Sequence, residues 1–196
     1  TFCIGHSVAD DRPNLILILS DDMGWSDIQP YGGEIETPAL ERLAREGLRF
    51  TQFYNNARCS QTRASLLTGL VQHQTGMGIL AETPQLAGPE DADIGYTRFL
   101  NRNCVTLAEA LQPVGYHTYM AGKWHLGYHD RNAWPLQRGF DKFYGCLAGG
   151  FNYFRPEGNR GLTEGNDPTT PGDDFYATDT LTDRACEYIT EVNAAD

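Results

Sequence analysis

Apolar positions in this chain fall into short continuous runs and helical stripes that alternate. Leu15-Ile16-Leu17-Ile18-Leu19 is an unbroken apolar run closed by Ser20 and the pair Asp21-Asp22. Such a run suits a strand over 14–20 that is buried on both faces. Thr37-Pro38 predicts a helix start, with Thr as N-cap and Pro in the first turn. Leu40, Leu43, Ala44 and Leu48 give that helix one apolar face, and Gly47 marks its end. Leu48 to Tyr54 predicts a second strand leading to Cys59, where another helix opens and stops at Thr68-Gly69. Thr106-Leu107-Ala108-Glu109 is a capping box for a helix ending near Gly115. A strand is expected at 116–120, a Gly-, Pro- and Asp-rich loop at about 155–174, and a last helix from Asp179 to Val192. Alternating strands and helices predict an α/β fold, a three-layer α/β/α sandwich around a mostly parallel sheet, with no internal repeat or interdomain linker.

Composition narrows the function classes. The 196 residues are enough for one domain with a sizeable core, and 40 % apolar with 11 % aromatic residues indicate a globular chain. A formal net charge of -11 argues against nucleic acid as a partner. It also works against long-range steering of an anionic substrate, so local cations would have to do the recruiting. No run of 18 or more apolar residues marks a membrane span. Thr1 to Ala9 reads either as the tail of a secretory signal peptide cut after Ser7-Val8-Ala9 or as a flexible extension, so 1–12 is set apart from 13–196. The five cysteines (3, 59, 104, 146 and 186) form neither a close-spaced framework nor a CxxC zinc pattern; with Cys3 and Cys59 set aside, the other three read mainly as buried thiols.

Three segments carry candidate chemistry. In Cys59-Ser60-Gln61-Thr62-Arg63 a thiol opens a helix, where the dipole favours anions, and Arg63 follows one turn later as a fixed cation. The same residues also suit an ordinary amphipathic helix opened by a core cysteine. Asp21-Asp22 ends an apolar strand, the edge at which open α/β sheets bind ligands, and two carboxylates there suit a hard divalent cation as well as a solvated turn. In Gly122-Lys123-Trp124-His125-Leu126-Gly127, Lys123 and His125 are two apart and face one side of an extended backbone. They offer a cation and a proton donor to one ligand, or a solvated Lys beside a core His.

Taken together, these segments resemble the sulfatase family of the alkaline phosphatase-like superfamily, from Arg12 onward. Cys59 to Gly69 is similar to the first sulfatase signature, Cys-x-Pro-x-Arg before a short helix and Thr-Gly. Gly122 to Gly127 matches the second, Gly-Lys-Trp-His-Leu-Gly. Asp21-Asp22 stands where the family has its first metal-ligand pair. Phe140-Asp141-Lys142-Phe143-Tyr144-Gly145, Asn152-Tyr153-Phe154 and Phe175-Tyr176-Ala177-Thr178-Asp179 look similar as well. Gln61 stands where the signature has Pro.

The resemblance implies an alkaline phosphatase-like fold and an exported, periplasmic or extracellular hydrolase of aryl or carbohydrate sulfate esters. It implies that a maturation enzyme oxidises Cys59 to formylglycine. The hydrated aldehyde would attack sulfur with one hydroxyl and expel sulfate with the other. Asp21, Asp22 and modified Cys59 would ligate one calcium ion; Arg63 would hold the diol, Lys123 would contact a sulfate oxygen, and His125 would handle a proton. Substrate specificity is expected from loops including 82–103 and 150–175. The Asp-Asn pair, further Lys and further His that the family draws from later strands are not matched after His129, so 13–196 is expected to be the N-terminal part of the catalytic domain. Two other readings are a phosphonate monoester or phosphodiester hydrolase of the same superfamily, and a non-catalytic paralogue that binds sulfated glycans.

Overall fold

The computed structural model describes residues 12–84 and 94–195. The signal-peptide reading of the first residues, with Cys3, lies outside the described residues, as does 85–93 within the stretch expected to set specificity. The chain divides into two compact units, one ending at Tyr54 and one running from Asn55 to Ala195.

In the first unit, helix α1 spans Pro38–Glu46, with Pro in its first turn and Gly47 as C-cap. Thr37 is the N-cap by position, but its hydroxyl is engaged elsewhere. It accepts from the Gln29 amide at 3.1 Å while Gln29 Oε1 accepts from the Thr37 amide at 3.2 Å. Trp25 and Tyr31 pack with ring centroids 4.0 Å apart, and Arg49 donates to the Pro30 carbonyl at 2.7 Å. The strands expected at 14–20 and 48–54 are not formed; both segments are irregular. The reason is pairing. A strand with apolar residues on both faces needs a ladder at its edges and a layer over each face. Among the described residues the sheet is built entirely from 119–169. Ile18 is accordingly 75 % exposed and Tyr54 86 % exposed.

The second unit is organised around that sheet. Strands β1 (Tyr119–Lys123) and β2 (Lys142–Cys146) are parallel, and β3 (Leu162–Glu164) and β4 (Asp167–Thr169) continue the sheet antiparallel in the order β1-β2-β3-β4. The sheet is therefore mixed. The β3–β4 hairpin forms inside the stretch expected to be a loop, turning at Gly165 (φ 61°). β1 begins three residues later than the expected 116.

Successive residues of β2 point to opposite faces, as the pleat requires. Phe143 enters one core with Ala64, Met77, Leu100, Trp124 and Leu126. Tyr144 enters the other with Leu162, Phe175, Ala177 and Tyr188. Helix α2 (Cys59–Thr68) supplies the first face through Ala64, and helix α4 (Ala177–Ala195) supplies the second through Ala177 and Tyr188. Helices on both sides of one sheet make the α/β/α arrangement of an alkaline phosphatase-like fold. Gly145 is required where β1 and β2 approach: its φ is 156°, and a Cβ there would lie 1.9 Å from the Gly122 carbonyl oxygen.

The capping box forms as the sequence predicts. Thr106 Oγ1 accepts from the Glu109 amide at 3.0 Å, Glu109 Oε2 accepts from the Thr106 amide at 2.8 Å, and helix α3 runs over Leu107–Leu111. A short 3-10 turn then carries the chain to Gly115. The Thr106 hydroxyl also donates to the buried Arg138 carbonyl at 2.7 Å. Thr106→Ala is therefore expected to cost about 1–2 kcal/mol, the upper part of the range for losing an N-cap. A shift in the urea midpoint without a change in slope checks it. Cys104 and Cys146 are buried thiols as expected, whereas Cys186 on α4 is exposed.

Candidate functional site

The second unit joins two of the three segments singled out in the sequence. Cys59 is the first residue of α2 and Arg63 lies one turn on, so both share a helix face. Asn56 holds the incoming loop against this helix. Its amide donates to Thr62 Oγ1 at 3.2 Å, and its side chain donates to the Gln61 carbonyl at 3.2 Å and to Ser65 Oγ at 2.9 Å. Gly69, at φ 69°, ends the helix by donating to the Ser65 carbonyl at 2.8 Å. Cys59 is a half-buried free thiol.

Gln61 fits this turn for a physical reason. It is the third helical residue, where the backbone amide has no partner within the helix and where Pro is also tolerated. Gln in place of Pro thus leaves the helix start intact and adds one amide donor to it. The side chain is buried, and its Oε1 accepts from Ser60 Oγ at 3.1 Å. A cleft of about 430 Å³, lined among others by Arg58, Gln61, Gln72 and Thr83, opens beside this turn.

The second segment leaves the sheet at the end of β1. Trp124 and His125 still pair with the chain after β2, donating to the carbonyls of Cys146 at 2.9 Å and Leu147 at 3.1 Å. Trp124 is fully buried and its indole donates to the Ala133 carbonyl at 2.9 Å. At His125 the backbone turns to φ 61°, an uncommon conformation for a residue with a side chain. The simple alternation that would set Lys123 and His125 on one side of an extended strand therefore stops at His125. Gly127 (φ 113°) allows the following turn to press on Phe99, whose Cβ would lie 2.3 Å from any added Cβ.

Arg63 ties the two segments together. It is buried, and Nη1 donates to the Lys123 carbonyl at 2.5 Å across 60 residues of sequence. The His125 ring, 3 % exposed, lies within the fields of both Lys123 and Arg63. Burial pushes its pKa down, the bond and charge of Glu82 oppose that, and the Lys123 and Arg63 charges push it further down. The net direction is downward, which keeps the ring neutral at pH 7.

Glu82 is the residue that the sequence did not reveal. Its Oε2 lies 2.7 Å from His125 Nε2, and its Oε1 accepts from the Gly149 amide at 3.0 Å. Desolvation works against its ionised form, but the His125 and Gly149 contacts win and hold its carboxyl below the usual range. Glu82 is 43 residues from His125. No spacing rule connects them, and a lone acid after Ile79-Leu80-Ala81 is not a motif.

Asp21 and Asp22 lie in the first unit, exposed in a bend, with Asp22 at φ 54°. Among the described residues no three His, Cys, Asp or Glu side chains are gathered as a metal cage. Two adjacent carboxylates are fewer than the six to eight oxygens that calcium takes.

The chain matches the sulfatase family over residues 13–196. It is 44 % identical over 147 residues to an uncharacterized sulfatase of Schizosaccharomyces pombe, which covers 74 % of this chain and 26 % of that protein. It is 38 % identical over 183 residues to an arylsulfatase of Klebsiella aerogenes, covering 89 % of this chain and 38 % of the relative. The crystal structure of Ps i-CgsB superposes with a TM-score of 0.74 at 28 % identity, covering 92 % of this chain and 42 % of that one. A second structure of Ps i-CgsB, in complex with k-i-k-neocarrahexaose, gives 0.70 at 26 % identity, with 88 % and 40 % covered. The chain thus spans about a quarter to two-fifths of the length of these relatives.

Proposed function

Because the chain belongs to the sulfatase family, we propose that the whole protein hydrolyses sulfate esters of an aryl or carbohydrate alcohol, with Cys59 as the precursor of its nucleophile. The observation that carries this reading is the Arg63 to Lys123 bond, which brings the helix opened by Cys59 to the end of β1, where Lys123 and His125 lie. A sulfate ester is an anion whose reaction places further charge on the leaving oxygen. Fixed cations at that point stabilise the transition state more than the ground state.

The roles follow from chemistry. Cys59, oxidised to formylglycine by a maturation enzyme, supplies a hydrated aldehyde: one hydroxyl attacks sulfur as the S–O bond to the alcohol breaks and the alcohol leaves, and the second then loses its proton, expels sulfate and restores the aldehyde. Arg63, buried and held by a backbone carbonyl, is a fixed cation for the oxyanion, placed without a large entropic cost. Lys123 is a point cation for a sulfate oxygen. His125, kept neutral by burial and by the two cations, takes up or returns a proton at the nucleophile or the leaving group. Asp21 and Asp22 are the carboxylates from which a calcium site would start, and a bound ion there would supply charge that polarises the sulfate. The amides at the start of α2 favour the same anion.

A sulfated small molecule or glycan is the proposed substrate, and a relative solved with k-i-k-neocarrahexaose supports the glycan. Export is proposed on the family resemblance; among the described residues no helix is long and apolar enough to cross a membrane.

Mass spectrometry of the Cys59 peptide, from a host with the maturation enzyme, tests the proposal. The expected product is formylglycine, which is lighter than cysteine. An unmodified thiol throughout sinks it. Rates on an aryl sulfate are expected to exceed those on the matching aryl phosphodiester, and the reverse order would favour a phosphodiesterase.

A further inference from the structure

His125 is buried to 3 % exposure with one ring nitrogen bonded and the other bare. Nε2 lies 2.7 Å from Glu82 Oε2, while Nδ1 is buried and has no hydrogen-bond partner among the described residues. A buried polar nitrogen without a partner is costly in a finished core and is expected where a ligand completes the site. The carboxylate that holds Nε2 is itself clamped, because its other oxygen accepts the Gly149 amide at 3.0 Å. Gly149 is the residue that allows this clamp to close. A Cβ there would lie 2.7 Å from Glu82 Oε1, from His125 Cε1 and from His125 Nε2.

We propose that Glu82 is a positioning residue for the sulfatase reaction: clamped by Gly149, it holds His125 as the Nε2–H tautomer and leaves Nδ1 to exchange the proton with the nucleophile or leaving group. The inference rests on the sulfatase reading for what His125 does, but not for the tautomer itself. An ionised carboxylate accepts and cannot donate, so the ring proton is confined to Nε2 while the ring is neutral. The same logic fixes the tautomer of histidines that act as bases or metal ligands elsewhere, where a carboxylate orients the far nitrogen. The left-handed backbone of His125 also has a place in this account. Strain of this kind persists where the surroundings over-determine a side chain's direction. Besides Glu82, the charged groups acting on the ring are Lys123 and Arg63, and His129 feels the Glu82 charge in turn.

Glu82→Gln is the direct test in the whole protein. The amide has one acceptor oxygen for two donors, Gly149 N–H and His125 Nε2–H. Facing the ring with its oxygen, the amide keeps Nε2–H but gives up Gly149; facing it with its NH2, it draws the ring proton to Nδ1. Long-range proton–nitrogen spectra of histidine-labelled protein read the tautomer without any turnover. The expected result is an Nε2–H ring in the parent protein and a mixture of the two tautomers in the variant. On the best sulfate ester, kcat is expected to fall about 10–100-fold, the range for losing a carboxylate that orients a histidine, with KM within about two-fold.

The acid limb of the kcat profile, if set by His125, moves to lower pH, since the Glu82 charge that favours the protonated ring is gone. Glu82→Asp keeps the charge one methylene short and is expected to recover part of kcat. Gly149→Ala, which wedges the clamp without touching either carboxylate or ring chemistry, is expected to reproduce the loss. A ring that carries its proton on Nδ1 in the parent protein overturns the proposal, as does wild-type kcat in both Glu82→Gln and Gly149→Ala. Absence of sulfate-ester turnover in the parent protein overturns the sulfatase reading instead, and the tautomer measurement still decides the role of Glu82.

Discussion

Cys59→Ala in the whole protein is expected to lower turnover of a sulfate ester by on the order of 10⁴-fold or more while leaving the fold intact. Both halves follow from the position of the residue. Cys59 is the first residue of α2 and half-buried, and its thiol belongs to no disulfide. Alanine is the best helix former and fits there without a cavity of consequence. The loss is therefore chemical: no other side chain on the anion-facing start of α2 offers an equivalent nucleophile, since Ser60 is buried and its hydroxyl donates to Gln61. Arg63, Lys123 and His125 remain, so the variant should still bind the sulfate ester, with an affinity close to the parent's KM-level binding. Turnover by Cys59→Ala within ten-fold of the parent would sink the nucleophile assignment. Loss of ligand binding together with turnover would point to a structural role for the thiol.

How far the sequence carries can be argued from two pairs of residues. Cys59 with Arg63, and Lys123 with His125, are each close in sequence; helix periodicity places the first pair on one face, whereas the turn at His125 breaks the strand alternation expected to place the second. The bond that unites the pairs spans 60 residues, and the resemblance to a family supplied that link where periodicity could not. Glu82 and His125 show the opposite case. Their contact spans 43 residues, has no spacing signature, and depends on Gly149 leaving room for a carboxylate, a steric fact invisible before the chain is folded.

The fold divides along similar lines. Helix starts at Thr37-Pro38 and Thr106 were legible because Pro in a first turn and a capping box are local signals. The β3–β4 hairpin was not, since Leu162-Thr163-Glu164 is too short and too polar to show a period; it becomes a strand because β2 offers it an edge. The apolar run at 15–19 failed for the complementary reason. Its pattern describes a strand between neighbours, and pattern alone does not provide the neighbours.

Arg138→Met is expected to be the most destabilising single change among the residues described, about 3–5 kcal/mol, the range for removing one partner of a buried ion pair. The guanidinium is fully buried and every arm is used. Nε donates to Glu109 Oε1 at 2.9 Å, and Nη1 donates to the carbonyls of Leu100 and Asn101 at 3.0 Å each. Nη2 donates to the Cys104 carbonyl at 2.8 Å and Glu109 Oε2 at 3.1 Å. One side chain thus fastens the segment 100–104 and the start of α3 to the turn before β2. Methionine fills much of the volume but takes the guanidinium donors away from three carbonyls and from a carboxylate that keeps the Thr106 amide.

Lysine is not a rescue. It keeps the charge but replaces a planar fork with a point cation, so Arg138→Lys should recover less than half of the loss. Arg138→Met combined with Glu109→Leu should be less damaging than the two changes added separately, because the carboxylate is no longer stranded.

Acid should reproduce part of the effect. Burial works against the charged Glu109, but the bonds from Arg138 and Thr106 outweigh it and hold the carboxyl below its ordinary range. A carboxyl depressed in the folded state contributes stability that is present above its unfolded pKa and lost as pH falls through the folded one. The gap between parent and Arg138→Met, read as urea midpoints, should therefore narrow on the acid side of the ordinary carboxylate range. A gap that is small at neutral pH, or that widens in acid, would mean that the ion pair does not hold these segments together.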